Sequence, residues 1–375
     1  MVNTELYIGL MSGTSIDGVD AALVAITGEQ CQLLANHLEP IPAQLTQQLH
    51  QLCKPSNDEI TQLALIEQPL ASLFADACHH LLAKTTYQAS DITAVGNHGQ
   101  TIRHHPEHAF TLQIGDGNAL ACLTSINTIA DFRRKDIALG GQGAPLVPAF
   151  HQAVFQHQSK SRAVINIGGL ANITFLPPVN TQEHVLGYDT GPGNTLLDAW
   201  FKQHQASGKN YDENGQWAAS GKINNALLAQ LMQDSYLQQS APKSTGRERY
   251  NLHWLQEQIN LSQQTDIMNN DVQRTLCYFS ALTIANEVHK LMPAGDVYIC
   301  GGGAANPLLM QDIATALSER YTLASTAALS IDPDWVEAIA FAWLAKRHVH
   351  QQPGNLPAVT GASRRAILGS CYLWK

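Results

Sequence analysis

The sequence predicts an α/β protein of two lobes, with a mixed sheet in each lobe and a nucleotide cleft between. Two glycine-rich turns, about half the chain apart, predict it first. Tyr7-Ile8-Gly9-Leu10-Met11 runs into Ser12-Gly13-Thr14-Ser15-Ile16-Asp17-Gly18, and Val164-Ile165-Asn166-Ile167 runs into Gly168-Gly169-Leu170-Ala171-Asn172. Each reads as a strand, a tight polar turn and another strand. The second observation is that the order β-β-β-α-β-α occurs in two loosely similar halves. The third is size: 375 residues, 45% of them hydrophobic, can bury a large core in two lobes.

Taken in order, the first lobe opens with strands over 6–10, 21–26 and 32–38, the last two joined by the turn Thr27-Gly28-Glu29-Gln30. Apolar residues at three- and four-residue spacing then predict a helix over 58–84, which Pro69 kinks or divides. Strands follow over 93–96, 110–114 and 126–130, with a short helix over 118–123 before the last. Gly140-Gly141-Gln142-Gly143 is the most loop-like stretch near mid-chain and is taken as the start of the second lobe. That lobe has strands over 163–167, 171–176 and 185–188, then a helix over 195–204. Polar excursions over 207–217 and 240–250 interrupt it. A helix over 270–291, a buried strand over 297–300 and helices over 307–317 and 335–346 complete the pattern. The lobes are expected over 1–139, joined by 350–375, and over 140–349.

Bulk properties exclude several classes. A net charge of −9 argues against a nucleic-acid partner or an anionic membrane surface. No run reaches membrane-span length and the opening residues lack a signal-peptide pattern, so a cytoplasmic protein is expected. Seven cysteines, scattered singly and mostly within apolar runs, read as buried thiols in a reducing compartment.

Four glycine turns in one chain point to a nucleotide with several phosphates, because glycine lets backbone N–H groups approach an anion closely. Ser12 to Gly18 lacks P-loop spacing and any lysine, yet its hydroxyls, glycine amides, Asp17 and Asp20 suit phosphates with a hydrated Mg²⁺. The same residues would also make an ordinary polar β-turn. Asp189 ends an apolar strand just before Thr190-Gly191-Pro192-Gly193, where a carboxylate can accept a proton from an attacking oxygen. A helix N-cap or Asx-turn is the alternative. Gly301-Gly302-Gly303 after Val297-Tyr298-Ile299-Cys300 misses the dinucleotide GxGxxG pattern and suits a nucleoside lying on bare backbone. The histidines between His98 and His108 are irregularly spaced on a loop with Pro106, which favours solvated or hydrogen-bonding roles over zinc. Asp131 to Asp136 reads as a solvated charge cluster, and Glu337 as a lone charge in an apolar helix.

Together, Met11 to Asp20, Asn97-His98-Gly99-Gln100-Thr101, Ile167 to Asn172, Gly187 to Asn194 and Trp335-Val336-Glu337-Ala338 resemble the anhydro-N-acetylmuramic acid kinase family, over about residues 5–370. The resemblance implies the two-lobed, actin-like (ribonuclease H-like) ATPase fold. The opening motif departs from that superfamily's usual DxGxT pattern, a mark of this family. It further implies ATP phosphates at Gly13, Thr14, Ser15, Ile16, Asp17, Gly18, Val19 and Asp20, with Asp17 reaching Mg²⁺ through water. Gly168, Gly169, Gly191 and Gly193 belong to the other nucleotide turns, and Gly301, Gly302 and Gly303 lie near the nucleoside. Asp189 is the implied base, and Asn97, His98, Gln100, Arg133 and Glu337 line the sugar pocket. The implied reaction opens the 1,6-anhydro ring of 1,6-anhydro-N-acetylmuramic acid while phosphorylating its 6-oxygen, within peptidoglycan recycling, and a homodimer is expected. An actin- or chaperone-like ATP switch and an ordinary hexose kinase are the competing readings.

Overall fold

In the computed structural model, residues 3–206, 208–264 and 266–375 are described. They form two compact units, residues 1–154 with 335–375, and residues 155–334. These divisions stand at other positions than the 139/140 and 349/350 expected from sequence. Ser207, at the start of one expected excursion, lies outside the described residues.

The first unit is built on a six-stranded sheet ordered β13-β7-β4-β1-β2-β3. Its members are β1 (Glu5–Met11), β2 (Gly18–Thr27), β3 (Gln30–Pro40), β4 (Ile92–Asn97), β7 (Thr128–Ala130) and β13 (Ser370–Tyr372), with β5 (Gln100–His105) and β6 (Phe110–Ile114) forming a separate hairpin. β1, β2 and β3 are an antiparallel meander, whereas β4 runs parallel to β1 and β7 parallel to β4. The turn Ser12 to Asp17 closes the β1–β2 hairpin, whose last rung pairs Met11 with Asp20.

Residues Ile8, Leu10, Val19, Leu23 and Val95 are fully buried in one core with Leu70, Phe74 and Leu81 of the helix Glu59–Ala83. That helix runs unbroken through Pro69. The proline does not divide it, because buried Ile66 before Pro69 and Leu70, Phe74, Ala77 and Leu81 after it hold both sides in the core. Truncating Leu70 to alanine would cost about 2–5 kcal/mol.

The helix Val336–Val349 lies so close to β1 and β4 that side chains are forbidden between them. A Cβ on Gly9 would stand 1.8 Å from the Ala338 carbonyl oxygen, and one on Gly96 2.1 Å from that of Phe341. Glycine at both positions therefore fixes where Glu337, in the helix's first turn, is presented.

The second unit has a five-stranded sheet ordered β10-β9-β8-β11-β12, from β8 (Arg162–Ile167), β9 (Leu170–Leu176), β10 (Leu186–Pro192), β11 (Gly295–Cys300) and β12 (Tyr321–Ser325). Again three strands form an antiparallel meander, and β11 and β12 add in parallel beside β8. The order 3-2-1-4-5 thus occurs in both units, and Gly168–Gly169 closes β8–β9 where Ser12 to Asp17 closes β1–β2. The duplicated α/β topology expected from the two glycine hairpins, ribonuclease H-like as the family resemblance implies, is the one observed. The helix Asn269–Leu291 is buried on several sides, through Val272, Leu276, Phe279, Ile284 and Val288.

Sequence periodicity misses some pieces. The helix Ala43–Leu52 buries Leu45, Leu49 and Leu52 from an otherwise glutamine-rich stretch. The expected histidine loop is instead largely strand β5 and a turn at Pro106–His108, leading into the expected strand β6. The short helix Asn225–Leu231 lies between the two polar excursions, and the second leads into Leu252–Leu261. Of the cysteines, only Cys78, Cys277 and Cys300 are buried; Cys122 and Cys371 are exposed. No described helix is long and apolar enough to cross a membrane.

Candidate functional site

In the first unit the β1–β2 turn is braced by one side chain. Ser12 donates to Gln100 Oε1 at 2.6 Å, and Gln100 Nε2 donates to the Gly13 carbonyl at 3.2 Å. Fully buried Gln100 thus has both ends of its amide on the turn. Ile16 and Val19 turn their side chains into the core, so only their backbone remains for a ligand. Thr14 and Asp17 are exposed, and Asp17 Oδ1 accepts from Ser15 at 2.7 Å.

Beside that turn, Asn97 ends β4 and His98 follows it, both buried. Asn97 Oδ1 accepts from the Gly99 amide at 3.0 Å. His98 packs on Phe341 at 4.8 Å between ring centroids. Arg133 reaches His98 Nε2 from Nε at 3.2 Å and from Nη2 at 2.9 Å, while its Nη1 donates to the Gly143 carbonyl. A guanidinium can only donate, so Nε2 accepts and the imidazole proton sits on Nδ1. Burial and the Arg133 charge push the His98 pKa down to about 3, which keeps the ring neutral. Burial also lowers the Arg133 guanidinium to about 10, opposed by Glu337 and Asp136. The half-buried Glu337 carboxyl is raised by burial, with Arg133 partly offsetting it. Two donors, Asn97 Nδ2 and His98 Nδ1, are buried with no hydrogen-bond partner among the described residues. Such donors are costly to leave unmet, and a ligand rich in oxygen would meet them.

Within residues 131–136, Arg134 and Lys135 are exposed as their charge suggests, but Arg133 and Asp136 are turned inward. Asp136 is fully buried and accepts from the Gly143 amide, Asn355 and Thr360, which holds the glycine-rich loop in place under Arg133.

In the second unit Asp189 sits at a β-bulge. Pairing with β9 slips between Asp189 and Gly191, and such a bulge re-aims the side chain beside it. Segment 243–245 and Tyr236 then fasten the residue. Asp189 donates its amide to the Lys243 carbonyl at 3.3 Å, Tyr236 Oη donates to the Asp189 carbonyl at 2.7 Å, and the Thr245 amide donates to Oδ2 at 3.0 Å. Burial raises the Asp189 pKa to about 6; the Thr245 amide opposes this and Glu248 adds to it. Lys243 is itself pinned by a buried ion pair with Glu287 at 2.8 Å, and Glu287 also accepts from Tyr188 Oη at 3.0 Å.

The glycine turns of this unit do different things. The Gly168 and Gly169 carbonyls accept from the amides of Gly193, Asn194 and Thr195 at 2.9 Å each, so those amides are committed to the fold. A Cβ on Gly193 would meet the Gly168 oxygen at 2.5 Å. Gly301 has φ 77° and no room for a side chain, since a Cβ there would stand 2.2 Å from Asn166 Oδ1, whereas Gly302 opens onto free space. Asn306 caps the helix Pro307–Leu317.

Sequence reasoning passes over Tyr236, Lys243, Thr245, Glu287, Asp198 and Arg247. Arg247 Nη2 lies 3.2 Å from where a Gly169 side chain would begin. Burial lifts Asp198 to about 7, the Arg247 charge opposing and Asp212 reinforcing the shift. One signal points to them: Lys243, Arg247 and Arg249 fall together in a chain otherwise poor in cations.

A duplicated ribonuclease H-like topology, with a glycine hairpin at the same place in each copy, defines an α/β protein of the actin-like class that includes the sugar kinases. The family model described as "Anhydro-N-acetylmuramic acid kinase" matches residues 5–374. The anhydro-N-acetylmuramic acid kinase of Shewanella sp. (strain ANA-3) is 54% identical over 373 residues, which cover 99% of each chain. That of Shewanella sp. (strain W3-18-1) is 55% identical over 368 residues, 98% of each. A solved ROK family glucokinase from Streptomyces griseus, in complex with glucose and AMPPNP, is 11% identical, covers 91% of this chain and 99% of its own, and superposes with a TM-score of 0.42. The chain belongs to the anhydro-N-acetylmuramic acid kinase family, and it is a kinase.

Proposed function

We propose that the chain uses ATP to convert 1,6-anhydro-N-acetylmuramic acid into N-acetylmuramic acid 6-phosphate and ADP. The observation that carries this reading, beyond family membership, is the environment of Asp189: a bulge-mounted carboxylate held by one backbone amide and raised to about 6 by burial. A base with that pKa is ionised at neutral pH yet basic enough to take a proton from water.

Asp189 accepts a proton from water as its oxygen bonds to the anomeric carbon. The C1–O6 bond breaks, and O6 takes the γ-phosphoryl group of ATP. Asn97 Nδ2 and His98 Nδ1 offer two buried donors to sugar oxygens, Arg133 holds the His98 ring, and Glu337 adds a half-buried acceptor. Gln100 contributes by shaping the Ser12–Asp17 turn. In this reading the Ser12–Asp17 turn offers backbone amides to the phosphates, and Gly302, where an added Cβ would meet nothing within 4 Å, leaves room for the nucleoside. Exposed Asp17 would hold Mg²⁺ through water, and the ion would neutralise phosphate charge. A cytoplasmic homodimer acting in peptidoglycan recycling completes the reading.

Turnover on the anhydro sugar, compared with open-chain N-acetylmuramic acid and glucose, tests it. Efficient phosphorylation of the anhydro sugar alone is expected. Preference for glucose would favour an ordinary hexose kinase, and ATP hydrolysis with no sugar product would favour a switch.

A further inference from the structure

One strand out from the end of the β1–β2 hairpin, where Glu39 pairs with Val19 and His37 with Ala21, the edge strand β3 and the helix Glu59–Ala83 bring two histidines and a glutamate together. His37 and Glu39 are two apart on β3, so they share a face of the strand. His80, near the end of the helix, points at the same carboxylate. A single oxygen, Glu39 Oε2, meets His37 Nε2 at 2.8 Å and His80 Nδ1 at 2.5 Å, and the two imidazoles pack edge to face at 5.4 Å. All three ligand atoms lie within 4.8 Å of one another, and no other described group of histidine, cysteine, aspartate and glutamate side chains does this.

We propose that His37, Glu39 and His80 bind a divalent transition-metal ion of the zinc type, which cross-links β3 to the helix. Two imidazole nitrogens and one carboxylate oxygen are the donors that zinc takes at about 2.0–2.2 Å, and tetrahedral coordination would space them about 3.3 Å apart. The observed contacts need to open by less than about 1 Å to admit an ion. Water would fill the remaining position. The set is unsuited to magnesium, which prefers oxygen ligands and keeps its own waters. The surrounding charge favours a cation: Asp76 lies one turn before His80 and acts on it, while Lys84, one turn after, is tied to the Asn36 carbonyl at 3.0 Å. Glu39 and His37 are largely covered, so the strand side of the site is pre-arranged, and the exposed His80 closes it. The consequence is structural. β3 is the open edge of a six-stranded sheet, and an ion would pin that edge to the helix packed on it.

The test uses the metal-stripped full-length protein. Titration with ZnCl₂ by calorimetry, with CoCl₂ as a spectroscopic probe, should show a site of one ion per chain with visible d–d bands of low-coordinate cobalt. Zn²⁺ should raise the melting temperature, and MgCl₂ at the same concentration should not displace it. His80→Asn alters a side chain that is 58% exposed, so the fold should survive. Zinc affinity should then fall on the order of tenfold or more. His37→Asn should do the same, with sugar-dependent kinase turnover unchanged in both. Wild-type zinc affinity in both variants, or no zinc binding by the wild type, would overturn the proposal and leave the trio an ion-pair cluster.

Discussion

Arg133 donates to His98 Nε2 from two nitrogens, at 3.2 and 2.9 Å, and so sets the imidazole proton on Nδ1, a buried atom with no other partner among the described residues. Thirty-five positions separate the two residues, and the guanidinium is held in reach because the buried carboxylate of Asp136 fastens the Gly143 amide while the Gly143 carbonyl accepts from Arg133 Nη1. Lysine cannot reproduce a fork that reaches both His98 and the Gly143 carbonyl. Arg133→Lys should therefore raise KM for the sugar on the order of tenfold, equivalent to losing about 1.5 kcal/mol of charge-assisted hydrogen bonding. KM for ATP should hardly move. Steady-state kinetics with each substrate varied would check the split, and an equal rise in both would remove His98 from sugar binding.

Asp189 carries two linked expectations. As a base it must be ionised, so kcat/KM should fall as pH drops through about 6, and Asp189→Asn should lose about 10²–10⁴-fold in kcat. Its effect on stability has the opposite sense. Because folding raises this pKa, the carboxyl's contribution is fully present below its unfolded value of 3.8 and is lost as pH rises through about 6. The asparagine variant should accordingly melt above the wild type at pH 8, with the gap closing toward pH 4. Thermal melts across that range would check it, and a variant that melts lower at pH 8 would mean that the ionised carboxylate is stabilised by its surroundings.

The glycines of the nucleotide turns should separate into two groups. A Cβ on Gly302 meets nothing within 4 Å, and one on Gly13 meets only Ser15 Oγ, at 3.7 Å. Gly302→Val and Gly13→Val should fold normally and bind ATP more weakly. Gly303→Val should instead lower the melting temperature, because its Cβ would stand 2.3 Å from Ile167 Cγ2. Calorimetry for ATP with parallel melts would distinguish them. Unchanged ATP affinity in both of the first two variants would make those turns structural.

Lys243 and Glu287 test how far Asp189 depends on its bracing. Both are buried, and a buried charge left with no partner costs about 3–5 kcal/mol. Lys243→Met should lower urea stability by less than that amount, because Glu287 keeps its contacts with Lys290 at 2.9 Å and Tyr188 at 3.0 Å. It should also lower kcat more than either KM, since Lys243 leads directly to the Thr245 amide that holds Asp189. A stability loss with unchanged kcat would assign the pair to folding alone.

Much of the fold is legible in the sequence because strands and glycine turns are local. The hairpins at Ser12–Asp17 and Gly168–Gly169 follow from short apolar runs meeting polar glycine turns, and a proline start marks the helix Pro307–Leu317 to the residue. Pro69 does not divide its helix because packing of Ile66, Leu70 and Phe74 outweighs one missing hydrogen bond. The bracing of Asp189 is hidden for another reason. Lys243 and Thr245 sit in a polar stretch whose purpose depends on Glu287, 44 positions from Lys243, and on Tyr236. No periodicity encodes that meeting. Arg133 looks solvated for the same reason, since the Asp136 partners Asn355 and Thr360 come from the far end of the chain.

The central claim is that a single base, Asp189, activates water for ring opening and that the freed 6-oxygen receives the phosphoryl group in the same cycle. Turnover of the anhydro sugar in ¹⁸O-labelled water tests this most directly. The account predicts label on the anomeric hydroxyl of the product, none in the new phosphate ester, and no ring opening without ATP. Label in the transferred phosphate, or ring opening that proceeds equally well without nucleotide, would contradict it.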